Sequence, residues 1–242
     1  MNSLLEALGL LPPVRLNLVG GGGKTSAMYR LGQELADLGQ RAILTTTTNI
    51  FPPAALPLVL ANSRQEFQEN TQQALEIQPQ IVAGQGLESG KVKGIPPHWA
   101  EPLAESFSVI CEADGSKGRP LKFPAAHEPV LCAGFSLVLV VGLRALFKPF
   151  GEEIFHRPEL ARQHLGWRDG LEITPALLAD LITHPLAWGR LPSPFTVLLN
   201  QADTQELREM GERAGTVLLK AGIQRVVLAS LALEKVYGVS TA

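Results

Sequence analysis

Val14-Arg15-Leu16-Asn17-Leu18-Val19-Gly20-Gly21-Gly22-Gly23-Lys24-Thr25-Ser26 is the stretch on which the fold turns. Its apolar first half reads as a buried strand. Beyond the glycines, Met28, Leu31, Leu35 and Leu38 recur at spacings of three and four, which is one face of a helix. A strand, a glycine turn and then Lys-Thr at a helix N-terminus is an arrangement that holds phosphate. Glycines let backbone N–H groups point inward with no Cβ in the way. The helix start adds partial positive charge and Lys24 a full one. The Thr25 hydroxyl stands where Mg²⁺ is bound, and Ser26 follows in the same turn.

The spacing departs from the usual Walker A loop, which has a glycine where this chain has Leu18. What stands here is Gly20-x-x-Gly23-Lys24-Thr25, shorter by two residues. Two other readings are open for the loop: a glycine-rich turn without a ligand, and a dinucleotide site. The second would want a third glycine where Thr25 stands and an acid ending the next strand, where Thr45 to Thr48 stand.

The 242 residues are 45% hydrophobic and 18% charged, an ordinary globular composition with enough apolar material for a sizeable core. The formal charge of −2 leaves no basic footprint for nucleic acid and no polybasic membrane patch. The first basic residue is Arg15, so no charged signal-peptide start is expected, and the uncharged apolar run Pro129 to Leu143 is too short for a membrane span. A cytoplasmic protein is expected. Cys111 and Cys132 both sit in apolar runs and read as buried thiols; no metal-ligand spacing of Cys or His occurs.

Along the chain, Leu4, Leu5, Leu8 and Leu11 suggest a short amphipathic helix, stopped by Pro12-Pro13 and packed on the sheet as a lid. Gly39 closes the helix after the glycine loop. A second strand, Arg41 to Thr45, runs into Thr45-Thr46-Thr47-Thr48, whose hydroxyls are placed to touch phosphate, metal or substrate. Ser63-x-x-Glu66 is a capping box. It opens a helix facing inward with Phe67, Thr71, Ala74 and Leu75. Ile81 to Ala83 is a short strand, Gly84 to Pro97 a loop long enough to act as a lid, and His98 to Glu105 helical.

Ser108-Val109-Ile110-Cys111 is a buried strand that ends in Glu112-Ala113-Asp114-Gly115-Ser116-Lys117-Gly118. An apolar strand running into an acid matches a Walker B strand, whose carboxylate holds Mg²⁺. Glu112 and Asp114 point the same way in extended chain, so both are placed to face one ligand. A solvated surface turn is the plainer alternative. Arg119 to Pro129 reads as irregular, with Lys122 and His127 in it, and Leu137 to Val141 as a central parallel strand. Residues 143–190 break the strand–helix rhythm and read as a small helical insertion covering the site. It includes His156 and Arg157 as phosphate-reaching candidates, and a helix capped by Thr174 with Pro175 at its first position. The strand Phe195 to Leu199 leads into Asn200-Gln201-Ala202-Asp203. Asn-x-x-Asp at a late strand's end is how guanine is read, although Asp203 is also placed to cap the helix that follows. The last strand expected is Arg225 to Ala229.

Strand and helix alternate through most of the chain. This predicts a three-layer α/β fold, a mostly parallel sheet with helices on both faces. Ligands in such sheets bind beyond the carboxyl ends of the strands. The glycine loop, the Thr run, the Glu-x-Asp loop and the Asn-x-x-Asp all fall at such ends.

Several segments together resemble the selenium-dependent hydroxylase accessory protein family, the YqeC type. They are Val-Gly-Gly-Gly-Gly-Lys-Thr-Ser, Thr-Thr-Thr-Thr-Asn-Ile-Phe, Glu-Ala-Asp-Gly-Ser-Lys-Gly-Arg-Pro-Leu-Lys, Ala-His-Glu-Pro-Val and His-Arg-Pro-Glu, in that order over nearly the whole chain. The resemblance implies a P-loop NTPase-like domain over 1–242 and a part in maturing selenium-dependent molybdenum hydroxylases, with such a hydroxylase or its cofactor as partner. The Glu112-x-x-Gly115 and Asn200-x-x-Asp203 pair is also similar to metallochaperone GTPases, and the short loop to that of the Mur ligases.

Together these readings predict a nucleoside triphosphate, ATP or GTP, bound with Mg²⁺. Gly20 to Ser26 would hold the phosphates, and Asn200 and Asp203 the base. Thr25 with Glu112 or Asp114 would hold the metal, the second carboxylate would orient a water or acceptor, and Lys117 or Arg157 would offset charge on the transferring phosphoryl. Hydrolysis, phosphoryl transfer to a small molecule by a kinase or ligase, and nucleotide sensing by a chaperone without turnover all remain open on sequence.

Overall fold

The computed structural model describes residues 3–242. The chain begins with α1 (Leu4–Leu8), β1 (Arg15–Gly20), α2 (Lys24–Asp37), β2 (Ala42–Thr46), β3 (Leu58–Leu60), α3 (Arg64–Ile77) and β4 (Gln80–Gly84). A small hairpin, β5 (Leu87–Glu88) with β6 (Lys91–Val92), precedes α4 (Pro97–Ala100), β7 (Ser108–Glu112), β8 (Leu121–Lys122) and β9 (Ser136–Gly142). Then come β10 (Phe155–His156), α5 (Pro158–Leu165), α6 (Pro175–Thr183), β11 (Thr196–Asn200), α7 (Gln205–Lys220), β12 (Arg225–Ser230) and β13 (Lys235–Thr241).

Nine strands form one sheet in the order β13-β12-β11-β9-β1-β7-β2-β4-β3, all neighbours parallel except the antiparallel pair β12 and β13. Alternate residues point to opposite faces. One face carries Leu16, Leu18, Leu44, Val138, Val140 and Leu198 under α1 and α2. The other is covered in two parts. Ile43, Ile81 and Val109 lie with Phe67 and Leu75 of α3 and Trp99 of α4. Val19, Leu139, Val141, Val197 and Leu199 lie with Ala161 of α5, Leu178 of α6 and Leu218 of α7. The fold is therefore three-layered α/β, as expected, and consistent with a P-loop NTPase-like arrangement. Full burial of one such leucine is worth roughly 1.5–3 kcal/mol. Asn17, 1% exposed in central β1, is a polar residue within this apolar sheet: its amide exchanges two hydrogen bonds of 3.0 Å with the Cys132 backbone.

Several local expectations hold. Gly39 sits just past α2 with φ 71° and its N–H on Ala36 O. Ser63 and Thr174 cap α3 and α6. Both cysteines are buried free thiols.

Others are corrected. The N-terminal helix does pack on the sheet, in the cluster of Leu16 and Leu18, but it stops at Leu8 and leaves Leu11 83% exposed. It lies by the opposite end of the sheet, where Leu8 and Gly9 share a groove with Ser136, Thr196 and Arg225 at the starts of their strands. Five residues are too few for a helix to stand alone. Glu34 of α2 holds this one by accepting from Ser3 Oγ and from the Leu4 and Leu5 amides, all at 2.9 Å. Residues 84–97 are not an open loop, since the β5–β6 hairpin is tied to Ile50 by its buried Val92. The irregular stretch after Arg119 contains β8, which pairs with β10. The chain does not end at β12 either. A tight turn at 231–234 brings β13 back along the sheet edge. Thr204, not Asp203, caps α7.

Residues 143–190 share a core with the sheet, Leu181, Ile182 and Trp188 packing in the same cluster as Leu139 and Val141. Among the described residues no helix is long and apolar enough to cross a membrane.

Candidate functional site

The strands end together. Leu18 of β1 and Thr46 of β2 lie opposite Glu112 of β7, Gly20 opposite Val140 of β9, and Asn200 of β11 opposite Gly142. The chain leaves β1 there as the glycine loop. Gly20 and Gly23 have φ of 99° and 126°, values a residue with a side chain rarely adopts. A Cβ on Gly20 would sit 2.2 Å from Val140 O, and one on Gly23 2.3 Å from Asn200 Nδ2. The loop thus has glycines because neighbouring strands leave no room for anything else.

Not all of its amides face a ligand, as the sequence had suggested. Gly20 N–H donates to both Asp114 carboxylate oxygens at 3.1 Å, Gly21 N–H to Val140 O at 2.9 Å, and Gly22 N–H to Arg119 O at 3.0 Å. The donors left are those a helix cannot satisfy within itself, at Gly23 and the first turn of α2: Lys24, Thr25 and Ser26.

These residues border a cavity of ≈ 530 Å³, whose wall also includes Glu112, Lys117, Arg157 and Gln201. Lys24 is 3% exposed. Its Nζ donates to Gly20 O at 2.7 Å and lies 3.4 Å from Asp114 and 3.6 Å from Glu112. Burial works against its charge, but the two carboxylates outweigh burial and hold its pKa above the ordinary lysine value. The Thr25 hydroxyl donates to Glu112 Oε2 at 2.6 Å. Burial raises the Glu112 pKa, against the opposing pull of Lys24 and Thr25.

Asp114 does meet the same lysine as Glu112, as the spacing predicted, yet it does not line the cavity. It is 1% exposed, and besides Lys24 and the Gly20 amide it faces Lys122 Nζ at 3.0 Å. Its oxygens are taken by the protein, so it positions Lys24 and the loop in place of the expected contact with metal or water.

Lys122 escaped the sequence reading. Its side chain has no exposure, and it donates to Gly115 O at 2.5 Å and to Glu128 at 2.7 Å. Glu128 in turn receives both arms of Arg157, one to each carboxylate oxygen. Burial would raise the Glu128 pKa, but Arg157 and Lys122 reverse this and bring it to about 2. An alternating row of charges, Lys24, Asp114, Lys122, Glu128 and Arg157, therefore runs from the glycine loop to the first turn of α5. Arg157 has φ 62° as the residue before that helix. The signal was present: Lys122 ends the Arg-Pro-Leu-Lys run and Glu128 lies in Ala-His-Glu-Pro-Val. Nothing local in the sequence says that such a lysine is buried.

His156, also on the cavity wall, is held at a pKa of about 4 by burial and by the nearby Lys122 and Arg157 charges. His127 lies outside that wall. Of the threonine run, Thr45, Thr46 and Thr47 donate to Ala83 O, Glu112 O and Val130 O, and only Thr48 borders the cavity. The hydroxyls of Thr45, Thr46 and Thr47 thus fasten strand ends, which leaves Thr48 as the member of the run placed beside a ligand.

Asn200 pins the loop, with Nδ2 on Gly22 O at 2.7 Å and Oδ1 accepting from Leu231 N–H at 3.0 Å. Asp203 stands apart from the cavity wall and is already engaged, by the Ser230 hydroxyl and Arg144, both at 2.6 Å. Among the described residues no group of three or more His, Cys, Asp or Glu side chains could hold a metal unaided.

Comparison with known proteins agrees with the segments quoted above. A family model described as YqeC protein matches residues 16–159. That span runs from β1 to the start of α5 and holds every member of the charge row. An Escherichia coli (strain K12) protein named as the uncharacterized protein YqeC is 30% identical over 189 residues, covering 72% of this chain and 69% of its own length.

Proposed function

The chain belongs to the YqeC family, and we propose its function from the cavity: it binds a nucleoside triphosphate with Mg²⁺ and hydrolyses it, in the service of maturing selenium-dependent molybdenum hydroxylases. One observation carries the reading. A buried, charged Lys24 opens a helix directly after a glycine loop at the carboxyl ends of parallel strands, with the neighbouring Thr25 hydroxyl on a strand-end carboxylate.

A triphosphate seated against Gly23, Lys24, Thr25 and Ser26 meets the first-turn amides and the lysine charge together. Thr25 and Glu112 are oxygen donors of the kind Mg²⁺ takes, and Mg²⁺ is ordinarily held by one or two such groups plus the phosphates themselves. Bound there, the ion would offset charge on the phosphoryl oxygens. Lys117 and Arg157 stand on the cavity wall as the further cations for the transferring group, and Glu128 fixes where Arg157 points. Asp114 keeps Lys24 and the Gly20 amide in place. Since Asp203 is engaged by Arg144 and Ser230, its capture of a base is not part of the proposal, and ATP and GTP enter the test on equal terms.

The test is phosphate release from each nucleotide by the purified protein, with and without Mg²⁺, and by Thr25→Ala. The reading expects Mg²⁺-dependent release that falls at least tenfold in Thr25→Ala. Release that ignores Mg²⁺, or a variant as active as the parent, would overturn it.

A further inference from the structure

A second chamber, ≈ 370 Å³, opens on the far side of Lys117, His156 and Arg157. The same three residues border the cavity at the glycine loop, so the two spaces share a wall. Beyond that wall the smaller chamber is lined by Arg119, Glu152 and Glu159, with Phe155 and Pro158 beneath. Hydrolysis has no use for it, because water needs no pocket of a size that holds a small organic molecule.

The wall is held in place. Lys117 and Arg157 both have left-handed backbone, φ 49° and 62°, a conformation costly for residues with side chains and kept only where the surroundings impose it. Arg157 gives two of its five N–H groups to Glu128, leaving the rest of a fixed planar fork at the wall. His156 is set by the pairing of β10 with β8. Burial and the surrounding cations keep its imidazole neutral at pH 7, with a pKa of about 4. A neutral imidazole between two chambers can accept a proton, and an Arg–Lys pair beside it can hold an anion. Glu152 and Glu159, which also line the smaller chamber, offer acceptors for hydroxyl groups.

We propose that the smaller chamber binds a second substrate, a small hydroxylated carboxylic acid, whose hydroxyl takes the γ-phosphoryl group from the nucleotide in the larger one. This rests on the larger cavity being a nucleoside triphosphate site. In the transfer the acceptor oxygen bonds to the γ-phosphorus, and the P–O bond to the β-phosphate bridging oxygen breaks. The nucleoside diphosphate leaves with that electron pair, and the hydroxyl proton passes to His156. Arg119 and Lys117 hold the acceptor's carboxylate. Arg157, on the shared wall, faces the phosphoryl in transit.

The experiment incubates the protein with Mg²⁺ and γ-labelled ATP or GTP, alone and with D-glycerate, D-gluconate or L-tartrate, and follows label into organic phosphate. The parent should show at least a tenfold rise in nucleoside diphosphate formation with one of the three acids, the label appearing on that acid. Arg119→Ala and the exposed Glu159→Gln line only the smaller chamber. Each should lose most of that rise while binding a non-hydrolysable nucleotide analogue as the parent does, with an unchanged melting point as the check on folding. No rise or label with any of the three acids, or a rise that survives both substitutions, overturns the proposal. So does weaker analogue binding in these variants, which would assign the smaller chamber to the nucleotide itself. Failure of the parent to bind any nucleotide analogue would instead strike the reading of the larger cavity.

Discussion

Replacing Lys122 by Met tests whether the charge row is a built feature of the site. Methionine keeps most of the lysine stem's volume, so the change removes the ammonium and little packing. Three contacts go with it: Gly115 O at 2.5 Å, Glu128 at 2.7 Å and Asp114 at 3.0 Å. Breaking a buried ion pair by removing one partner costs about 3–5 kcal/mol, because the other charge is left uncompensated. Here both acids keep a second partner, Asp114 through Lys24 and Glu128 through Arg157, so the low end applies, about 3 kcal/mol. For a chain of this size that is a fall of roughly 6–12 °C in melting temperature. Thermal unfolding followed by circular dichroism, with urea titration for the free energy, reads it directly. Stability within about 0.5 kcal/mol of the parent, the usual range for surface changes, would refute the reasoning, since a lysine so placed cannot be neutral if its carboxylates depend on it.

Acid should weaken the fold in two windows. His156 takes a proton at 6.5 when unfolded but only near 4 when folded, so its contribution is lost as pH falls from 6.5 to 4; Glu128, normally 4.5 and here about 2, adds a second loss below 4.5. Melting temperature against pH shows this, and NMR should find one imidazole that does not titrate above pH 5; an imidazole at 156 titrating near 6.5 contradicts it. Asn200→Ala leaves Gly22 O and Leu231 N–H without their partner and should cost about 1–3 kcal/mol, measured by urea unfolding. Gly23→Ala forces a methyl to within 2.3 Å of Asn200 Nδ2 at φ 126°, and should weaken nucleotide binding at least tenfold by calorimetry, whereas Gly238→Ala on β13, with nothing within 4 Å of its Cβ position and no left-handed backbone, should leave binding nearly unchanged.

The glycine loop, the flanking strand and helix, and the three-layer sheet were legible because each rests on a short-range rule: apolar runs, helical spacing, glycine before a helix start. Glu112 and Lys24 came with them, being fixed to strand end and helix start. Lys122 and Glu128 were not legible. A two-residue strand has no periodicity, and burial of its lysine is decided by Asp114 and Glu128 arriving from elsewhere. Asp203 shows the reverse case: a pattern that reads guanine in other proteins is present, but Arg144, 59 residues before it, has closed on the carboxylate. Three of the four threonines in the run are used otherwise for a related reason, because their strand-end hydroxyls take backbone carbonyls, and Thr48 alone borders the cavity. The closing strand β13 was missed since its mostly exposed residues, interrupted by Gly238, show no regular inward–outward alternation to signal pairing with β12.

Nucleotide binding to Lys24 is the central claim, and thermal-shift titration of ATP, GTP and their non-hydrolysable analogues with Mg²⁺ tests it most directly. At a hundredfold excess over the dissociation constant, binding to the folded chain adds about 2.7 kcal/mol, a rise of roughly 5–10 °C for this size. The account predicts such a rise for at least one triphosphate in the parent and its loss in Lys24→Ala. No rise with any triphosphate, or an equal rise in Lys24→Ala, would contradict it.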